Sequence, residues 1–470
     1  MWNLEQFKDN IAVLDEYGNR LTYSQLIEES EKITSAINGR CLVFSLCQNE
    51  IGSIIGYVSF MDARVVPVLI NSHMEEELLR NLMDTYCPSF LWVPEQQVSK
   101  FLNTRVVYQA FHYVLLKTEY KKTYDLYSGL GLLLTTSGST GSPKFVRQSY
   151  ENILDNAQSI ITYLELDQTE RAITTLPMNY TYGLSIINSH LLVGATLLVT
   201  EKSVMQKEFW EFFKKANATS FGGVPYTYEM LHKIHFQRMK LPSLRTMTQA
   251  GGKLTPELHE VFAKYAEESN KKFVVMYGQC EATARMGYLP ANKAVQKKGS
   301  MGIAIPGGEF YLIDTEGKKI EAPYTTGELI YKGKNVTLGY AECGEDLKLG
   351  DKRNGILQTG DMAQFDEEGY YYIVGRKKRF LKVYGNRVNL DEIDRLIKGR
   401  FGIECASTGV DDHVVIFVTE KEYTGEVKDF ITEKTRLNPV TFQVFVIDEI
   451  PKNDAGKILY KELGKYYKYE

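Results

Sequence analysis

Residues 132–144 read LLLTTSGSTGSPK, and the kind of fold to expect turns on this passage. Leu132, Leu133 and Leu134 form an apolar run that breaks off into small, hydroxylated and glycine residues, closed by Pro143 and Lys144. A chain builds a cradle for phosphate at the end of a buried strand in this way. Gly138 and Gly141 can turn backbone amides toward an anion, because they adopt conformations that other residues reach only at a cost. Thr136, Ser137, Ser139 and Thr140 add hydroxyl donors, and Lys144 adds a fixed positive charge. The spacing of glycine and lysine is not that of the P-loop of nucleoside triphosphatases, and Pro143 precedes the lysine. A surface turn draws on the same residues, so the remainder of the chain decides.

Outward from this passage, apolar runs alternate with helical patterns. Runs at 43–47, 65–70, 90–93, 106–107, 132–135, 172–176 and 195–199 predict strands, and segments 51–61, 75–86, 152–164 and 206–216 predict helices. The alternation argues for α/β layers around a mainly parallel sheet. From about Gly299 the texture changes: GGEFYLID, GELIYKG and GYYYIVG are short aromatic strands between glycine turns, which predicts a small β-subdomain. The basic run 376–379 (RKKR) follows, as either a solvated linker or a hinge. Beyond it, helices at 390–398 and 426–434 and strands at 414–418 and 442–447 predict a small α+β domain. In the first of these helices Asp391, Glu392 and Asp394 lie early and Lys398 late, which suits the helix dipole.

Composition narrows the class. A chain of 470 residues exceeds one ordinary core, so two or three domains are expected. Hydrophobic residues at 44% and charged residues at 24% are ordinary globular values, and a net charge of -4 gives no general reason to bind nucleic acid. No apolar run approaches the roughly 20 residues of a membrane span, and the first residues lack the pattern of a secretory signal. The six cysteines and seven histidines show no metal-ligand spacing, so free thiols and a cytoplasmic location are expected.

Five segments share the polar, glycine-rich character of the opening passage: 136–144 (TSGSTGSPK), 277–281 (YGQCE), 359–361 (TGD), 375–388 (GRKKRFLKVYGNRV) and 451–458 (PKNDAGKI). In this order they resemble the signature motifs of the adenylate-forming superfamily: acyl- and aryl-CoA synthetases, nonribosomal peptide synthetase adenylation domains and firefly luciferase. The resemblance begins with GNRLTYSQL at 18–26 and spans nearly the whole chain. It implies an α/β fold with a large N-terminal domain, 1–377, of layered α/β subdomains plus a small β-subdomain. A small mobile α+β domain, 378–470, follows and carries the catalytic lysine.

The implied reaction joins a carboxylic acid to ATP, giving acyl-AMP and pyrophosphate, and then passes the acyl group to the pantetheine thiol of CoA or of an acyl carrier protein. An anion must attack a nucleotide that already carries several negative charges, so catalysis rests on positioning and positive electrostatics. By resemblance, Thr136 to Gly141 and Lys144 hold the β- and γ-phosphates. Tyr277 stacks on adenine, with Gly278, Gln279, Cys280 and Gly252 beside the nucleotide. Glu281 binds Mg²⁺, whose preference for hard oxygen suits a carboxylate. Asp361 accepts from the ribose hydroxyls, Arg376 supports ribose or phosphate, and Lys457 bridges the carboxylate and the α-phosphate. Lys378 aligns with the pivot of the small domain, and Lys382 begins a loop, 382–385 (KVYG), that lines the thiol tunnel.

Two departures mark this chain. Cys280 replaces the usual threonine, which offers the α-phosphate a stronger donor. In 176–184 (LPMNYTYGL) Tyr180 stands where many acyl-CoA synthetases have histidine, and the aspartate that holds an α-ammonium group is missing, which disfavours an amino acid. Asn179, Thr181 and Tyr182 suit a hydroxylated aryl or short polar acyl group, with 221–225 and 249–252 completing the pocket. An enzyme that stops at acyl-AMP and a non-catalytic nucleotide-binding module are the alternatives; the presence of Lys144, Glu281, Asp361 and Lys457 together opposes the second.

Overall fold

The computed structural model describes residues 1–135, 144–384, 386–452 and 458–467. It divides into two compact units, 1–309 with 331–357 and 310–330 with 358–470.

The first unit is built on two large sheets. In a nine-stranded sheet, Ile11–Asp15, Thr196–Val199, Arg171–Ile173, Ser220–Gly223, Thr246–Gln249 and Lys272–Tyr277 run parallel in that spatial order, with short antiparallel strands at both edges. An eight-stranded sheet has Leu130–Thr135, Val66–Asn71, Leu42–Cys47 and Phe90–Pro94 parallel at its centre. Antiparallel strands flank them; on one side Phe145–Ser149 pairs with Leu130–Thr135 and Gly339–Ala341 closes the edge. The expected parallel α/β layering is therefore present, doubled into two sheets.

The central strands are buried along their length, which is why they read as continuous apolar runs instead of alternating ones. Helix Ile51–Asp62 is apolar on every side because it is packed on every side. One core cluster joins it to Val43, Trp92 and Leu132 of one sheet and to Leu197 of the other. Two helix starts are fixed by capping boxes: Thr22 with Gln25 opens Tyr23–Ser35, and Ser149 with Asn152 opens Tyr150–Leu164. The first lies inside the GNRLTYSQL motif, so that motif has a structural function as a helix start.

A five-stranded sheet includes Glu309–Ile313, Gly327–Lys332, Ile356–Phe365 and Tyr371–Arg376, most of whose residues belong to the second unit. A hairpin follows, Phe380–Val383 with Asn386–Asn389. A three-stranded sheet then packs helices Leu390–Phe401 and Thr424–Thr435 over Ile393, Ile397, Val414, Ile416, Val427 and Ile431. The small β-subdomain and the terminal α+β segment expected from the sequence are both there.

Candidate active site

Strand Lys272–Tyr277 ends at the motif 277–281, and the loop that follows is tightly folded. Gly278 lies so close to the returning chain that a Cβ there would sit 1.7 Å from the carbonyl oxygen of Ala284. Thr283 has φ 65° and ψ −56°, and the Ala284 amide donates to the Ala282 carbonyl at 2.7 Å. This is a γ-turn of the rare positive-φ kind, strained for any residue and more so for a β-branched one. Conformations of this kind cost on the order of 1–3 kcal/mol and persist where the surroundings over-determine them. Here they do. The Thr283 carbonyl accepts from the Thr181 hydroxyl and from Gln148 Nε2, and the Thr283 hydroxyl donates to the Asn335 carbonyl at 2.7 Å. Asn335 Nδ2 donates to the carbonyls of Ala282 and Arg285 at 2.9 and 3.0 Å.

The turn presents Glu281, half-buried, to a group of charged side chains. Its carbonyl accepts from the Thr337 amide and hydroxyl and from Arg353 Nη1. Its carboxylate Oε1 accepts from the Tyr340 hydroxyl at 2.6 Å, and Oε2 has no partner among the described residues. The Tyr340 ring carries Lys144 Nζ 3.7 Å from its centroid and the Arg353 guanidinium carbon 4.7 Å away, both within cation–π reach. Burial, then the adjacent Glu281 charge and the hydrogen bond to it, push the Tyr340 phenol well above its ordinary pKa, so it stays a donor. Lys144 otherwise faces Glu342 at 3.4 Å. The structure thus brings together the predicted Lys144 and Glu281 through Tyr340, which the sequence reading did not single out. Among the described residues no group of three or more His, Cys, Asp or Glu side chains could hold a metal on its own. A single carboxylate with one free oxygen does fit Mg²⁺ that takes most of its other ligands from phosphates and water.

Tyr277, Gly278, Gln279 and Cys280 precede Glu281 on the same loop; Gln279 Nε2 donates to the Tyr277 hydroxyl at 3.2 Å, and Cys280 is buried. Gly252 lies after the neighbouring strand Thr246–Gln249, its carbonyl accepting from Gln249 Nε2 at 2.8 Å. Beside it, Gly251 makes room for a phenol: a Cβ there would stand 2.8 Å from the Tyr180 hydroxyl oxygen. Tyr180 and Tyr182 meet edge to face at 6.4 Å, and the Tyr182 hydroxyl bonds Thr248 Oγ1 at 2.7 Å. Near them a cavity of ≈ 10 Å³, room for about one water, is bordered by Gln148, Asn156, Thr181, Ser185 and Thr283.

In the second unit Asp361 is buried at the register position opposite Arg376, whose Nε lies 2.7 Å from its carboxylate. Of the basic run, Lys377 pairs with Glu328 at 2.7 Å, and Arg379 is largely buried against Asp391 and Asp394 at 2.6 and 2.7 Å. Within this run only Lys378, exposed, has no ion pair among the described residues. Lys382 is exposed, its amide bonded to Asp411 Oδ1 at 2.8 Å. Thr136, Ser137, Gly138, Ser139, Thr140, Gly141 and Lys457 lie outside the described residues.

The strand-borne loop with its strained turn, the Glu281 carboxylate and Lys144 lie in a chain whose family is shown by comparison with known proteins. The family model for AMP-binding enzymes matches residues 1–341, and the chain belongs to that family. It is 31% identical over 354 residues to 4-hydroxybutyrate–CoA ligase 1 of Metallosphaera sedula, a match covering 70% of this chain and 61% of that protein's length. It is 25% identical to 2-succinylbenzoate–CoA ligase of Oceanobacillus iheyensis, over 97% of this chain and 96% of the relative. The fold is that of o-succinylbenzoate CoA synthetase from Bacillus subtilis, solved in complex with the acyl-adenylate intermediate OSB-AMP; the TM-score is 0.80 at 21% identity, covering 99% of this chain and 98% of the other. No helix among the described residues is long and apolar enough to cross a membrane.

Proposed function

We propose that this chain is an ATP-dependent acid–thiol ligase. A carboxylate oxygen of the acid attacks the α-phosphorus of ATP, the bond from that phosphorus to the bridging oxygen breaks, and pyrophosphate leaves. The thiolate of CoA, or of the pantetheine on an acyl carrier protein, then attacks the acyl carbon, and AMP departs with the electron pair. The observation that carries this reading is the arrangement around Tyr340. One ring holds the motif lysine Lys144 over its face and the Glu281 carboxylate at its hydroxyl, so cation and metal-ligand oxygen reach the phosphates as one unit. Mg²⁺, when bound, spreads the negative charge of the phosphates, and Glu281 Oε2 is the oxygen this chain offers it.

Lys144 grips the leaving pyrophosphate together with 136–141, Tyr277 with Gly278, Gln279, Cys280 and Gly252 takes the adenosine, and Asp361 with Arg376 takes the ribose. Lys457 supplies the charge at the α-phosphate, and 378–470 acts as a mobile domain that swings about Lys378, placing Lys382 toward the thiol. Six free cysteines support work in a reducing, cytoplasmic setting. The acid is not an α-amino acid: the pocket near Tyr180 and Tyr182 has hydroxyl and amide groups but no carboxylate among the sequence positions expected to hold an ammonium. Relatives named for 4-hydroxybutyrate and 2-succinylbenzoate support a non-amino acid.

Pyrophosphate release from ATP across a panel of acids, repeated with CoA and with phosphopantetheinylated carrier protein, tests this reading. In Lys457→Ala, release falls by roughly two to three orders of magnitude while ATP binding survives, the usual loss when a preorganised charge is removed. Near-normal release by that variant would sink the assignment of Lys457.

A further inference from the structure

The loop that carries Glu281 also carries Arg285, and this arginine lacks a counter-charge. It is 3% exposed, deep in the first unit. Its Nε donates to Ser185 Oγ at 3.0 Å, and its Nη1 to the Tyr163 hydroxyl at 3.1 Å and Met276 Sδ at 3.3 Å. Its guanidinium carbon lies 5.1 Å from the centre of the Tyr182 ring. Nη2 has no hydrogen-bond partner, and no carboxylate pairs with the group, among the described residues. The nearby histidine adds no charge: burial and then Arg285 itself lower the pKa of His190 to about 4, leaving it neutral. Every neighbour therefore orients the guanidinium, and none neutralises it.

A buried charge is ordinarily paired, because taking it out of water without a partner costs several kcal/mol. The other buried arginines follow the rule in two ways. Arg379 pairs with two aspartates. Arg147 is wrapped by carbonyls of Leu338, Tyr340, Leu349 and Gly350, which locks two segments together. Arg285 has neither carboxylate nor carbonyl cage, yet its Nε and Nη1 donate to three acceptors and its guanidinium lies over the Tyr182 ring. Its setting is also particular: Ser185 and Tyr182 lie on helix Thr181–Leu192, which begins within the segment assigned above to the acid.

We infer that Arg285 receives a second anionic group of the acid substrate, so that the enzyme activates one carboxylate of a dicarboxylic acid while Arg285 holds the other. The inference rests on the adenylation reading and sharpens its substrate class. Nε and Nη1 are engaged, and the hydroxyl protons of Ser185 and Tyr163 go to the Tyr182 carbonyl and to Met276 Sδ, so the two N–H groups of Nη2 are what this arginine offers a carboxylate oxygen, as charge-assisted donors. Fixed on the same loop as Glu281, it would also set how far the reacting carboxylate stands from the phosphates.

The experiment compares pyrophosphate release for acids that differ by one carboxylate: succinate with butyrate, adipate with hexanoate, terephthalate with benzoate. The wild-type protein is expected to favour the diacid of at least one pair by about tenfold or more in kcat/KM, the range seen when one charge-assisted contact is made or lost. Arg285→Met should lower kcat/KM for the diacid by about tenfold more than for its monoacid partner, and Arg285→Lys should restore part of that difference. A wild-type preference for monoacids, or equal loss on both members of a pair in Arg285→Met with Arg285→Lys no better, overturns the inference while adenylation stands. Should Arg285→Met not fold, the wild-type ratios and Arg285→Lys still decide. If no acid gives pyrophosphate, the adenylation reading itself fails.

Discussion

Tyr340 binds two cationic side chains to its ring and one carboxylate to its hydroxyl, and this explains how Lys144 and Glu281, 137 positions apart in sequence numbering, come to lie at one place. Replacing it by phenylalanine keeps the ring and deletes the donor. Glu281 then loses the contact that fixes Oε1 and leaves Oε2 free, so its carboxylate rotates. A hydrogen bond to a charged group contributes about 1.5–3 kcal/mol. Tyr340→Phe is therefore expected to raise the Mg²⁺ concentration needed for half-maximal pyrophosphate release several-fold, with ATP binding in the absence of metal unchanged. Titration of release against Mg²⁺, beside nucleotide binding without it, checks both halves. Tyr340 could not be read from the sequence, because its importance comes from strand Gly339–Ala341 pairing with Phe145–Ser149. Its neighbours in the chain, Gly339 and Ala341, give no local sign of that partner. Arg285 was missed for a related reason: a lone arginine in a loop looks solvated until its burial is known.

At the scale of elements, legibility followed burial. The parallel strands of the eight-stranded sheet are apolar from end to end, so 43–47, 65–70 and 90–93 were found within a residue or so of Leu42–Cys47, Val66–Asn71 and Phe90–Pro94. Strands Thr246–Gln249 and Ser220–Gly223 are not legible in the sequence, where only 221–225 and 249–252 stand out as pocket segments, because threonine, glycine and glutamine obscure the apolar run although all are buried. The γ-turn at Thr283 has no sequence signal at all, since a β-branched residue is a poor choice for positive φ and is held there by tertiary contacts. Gly278 is where that turn is most vulnerable. An added methyl would meet the Ala284 carbonyl at 1.7 Å, and that atom is backbone, unable to swing aside. Gly278→Ala is expected to lower stability by about 2–3 kcal/mol, within the range for overpacking a tight site, and to weaken nucleotide binding sharply. Urea unfolding and a nucleotide titration on the same sample measure the two effects.

For the whole molecule, the motifs gave the family, and the sequence led to an expectation of two domains, 1–377 and 378–470, whereas the compact units have other bounds. The chain crosses between units at 309/310, 330/331 and 357/358, so each unit is discontinuous in sequence, which a scan for linkers does not detect. The proposed rotation about Lys378 has its own test. Lys378→Pro fixes φ and removes an amide, so it should leave acyl-AMP formation near wild type and slow thioester formation by about tenfold or more, the signature of a step lost after the first transition state. Equal loss of both half-reactions would refute the pivot. The pairing of Gly339–Ala341 with Phe145–Ser149 bears on biosynthesis as well. On the ribosome, the strand that leads directly out of Lys144 keeps an unmatched backbone edge until nearly two hundred further residues have been translated. Only then does Tyr340 arrive, so the nascent protein completes this sheet and joins Lys144 to Glu281 in a single late event, and until that event the exposed edge is the point at which a chaperone has most to protect.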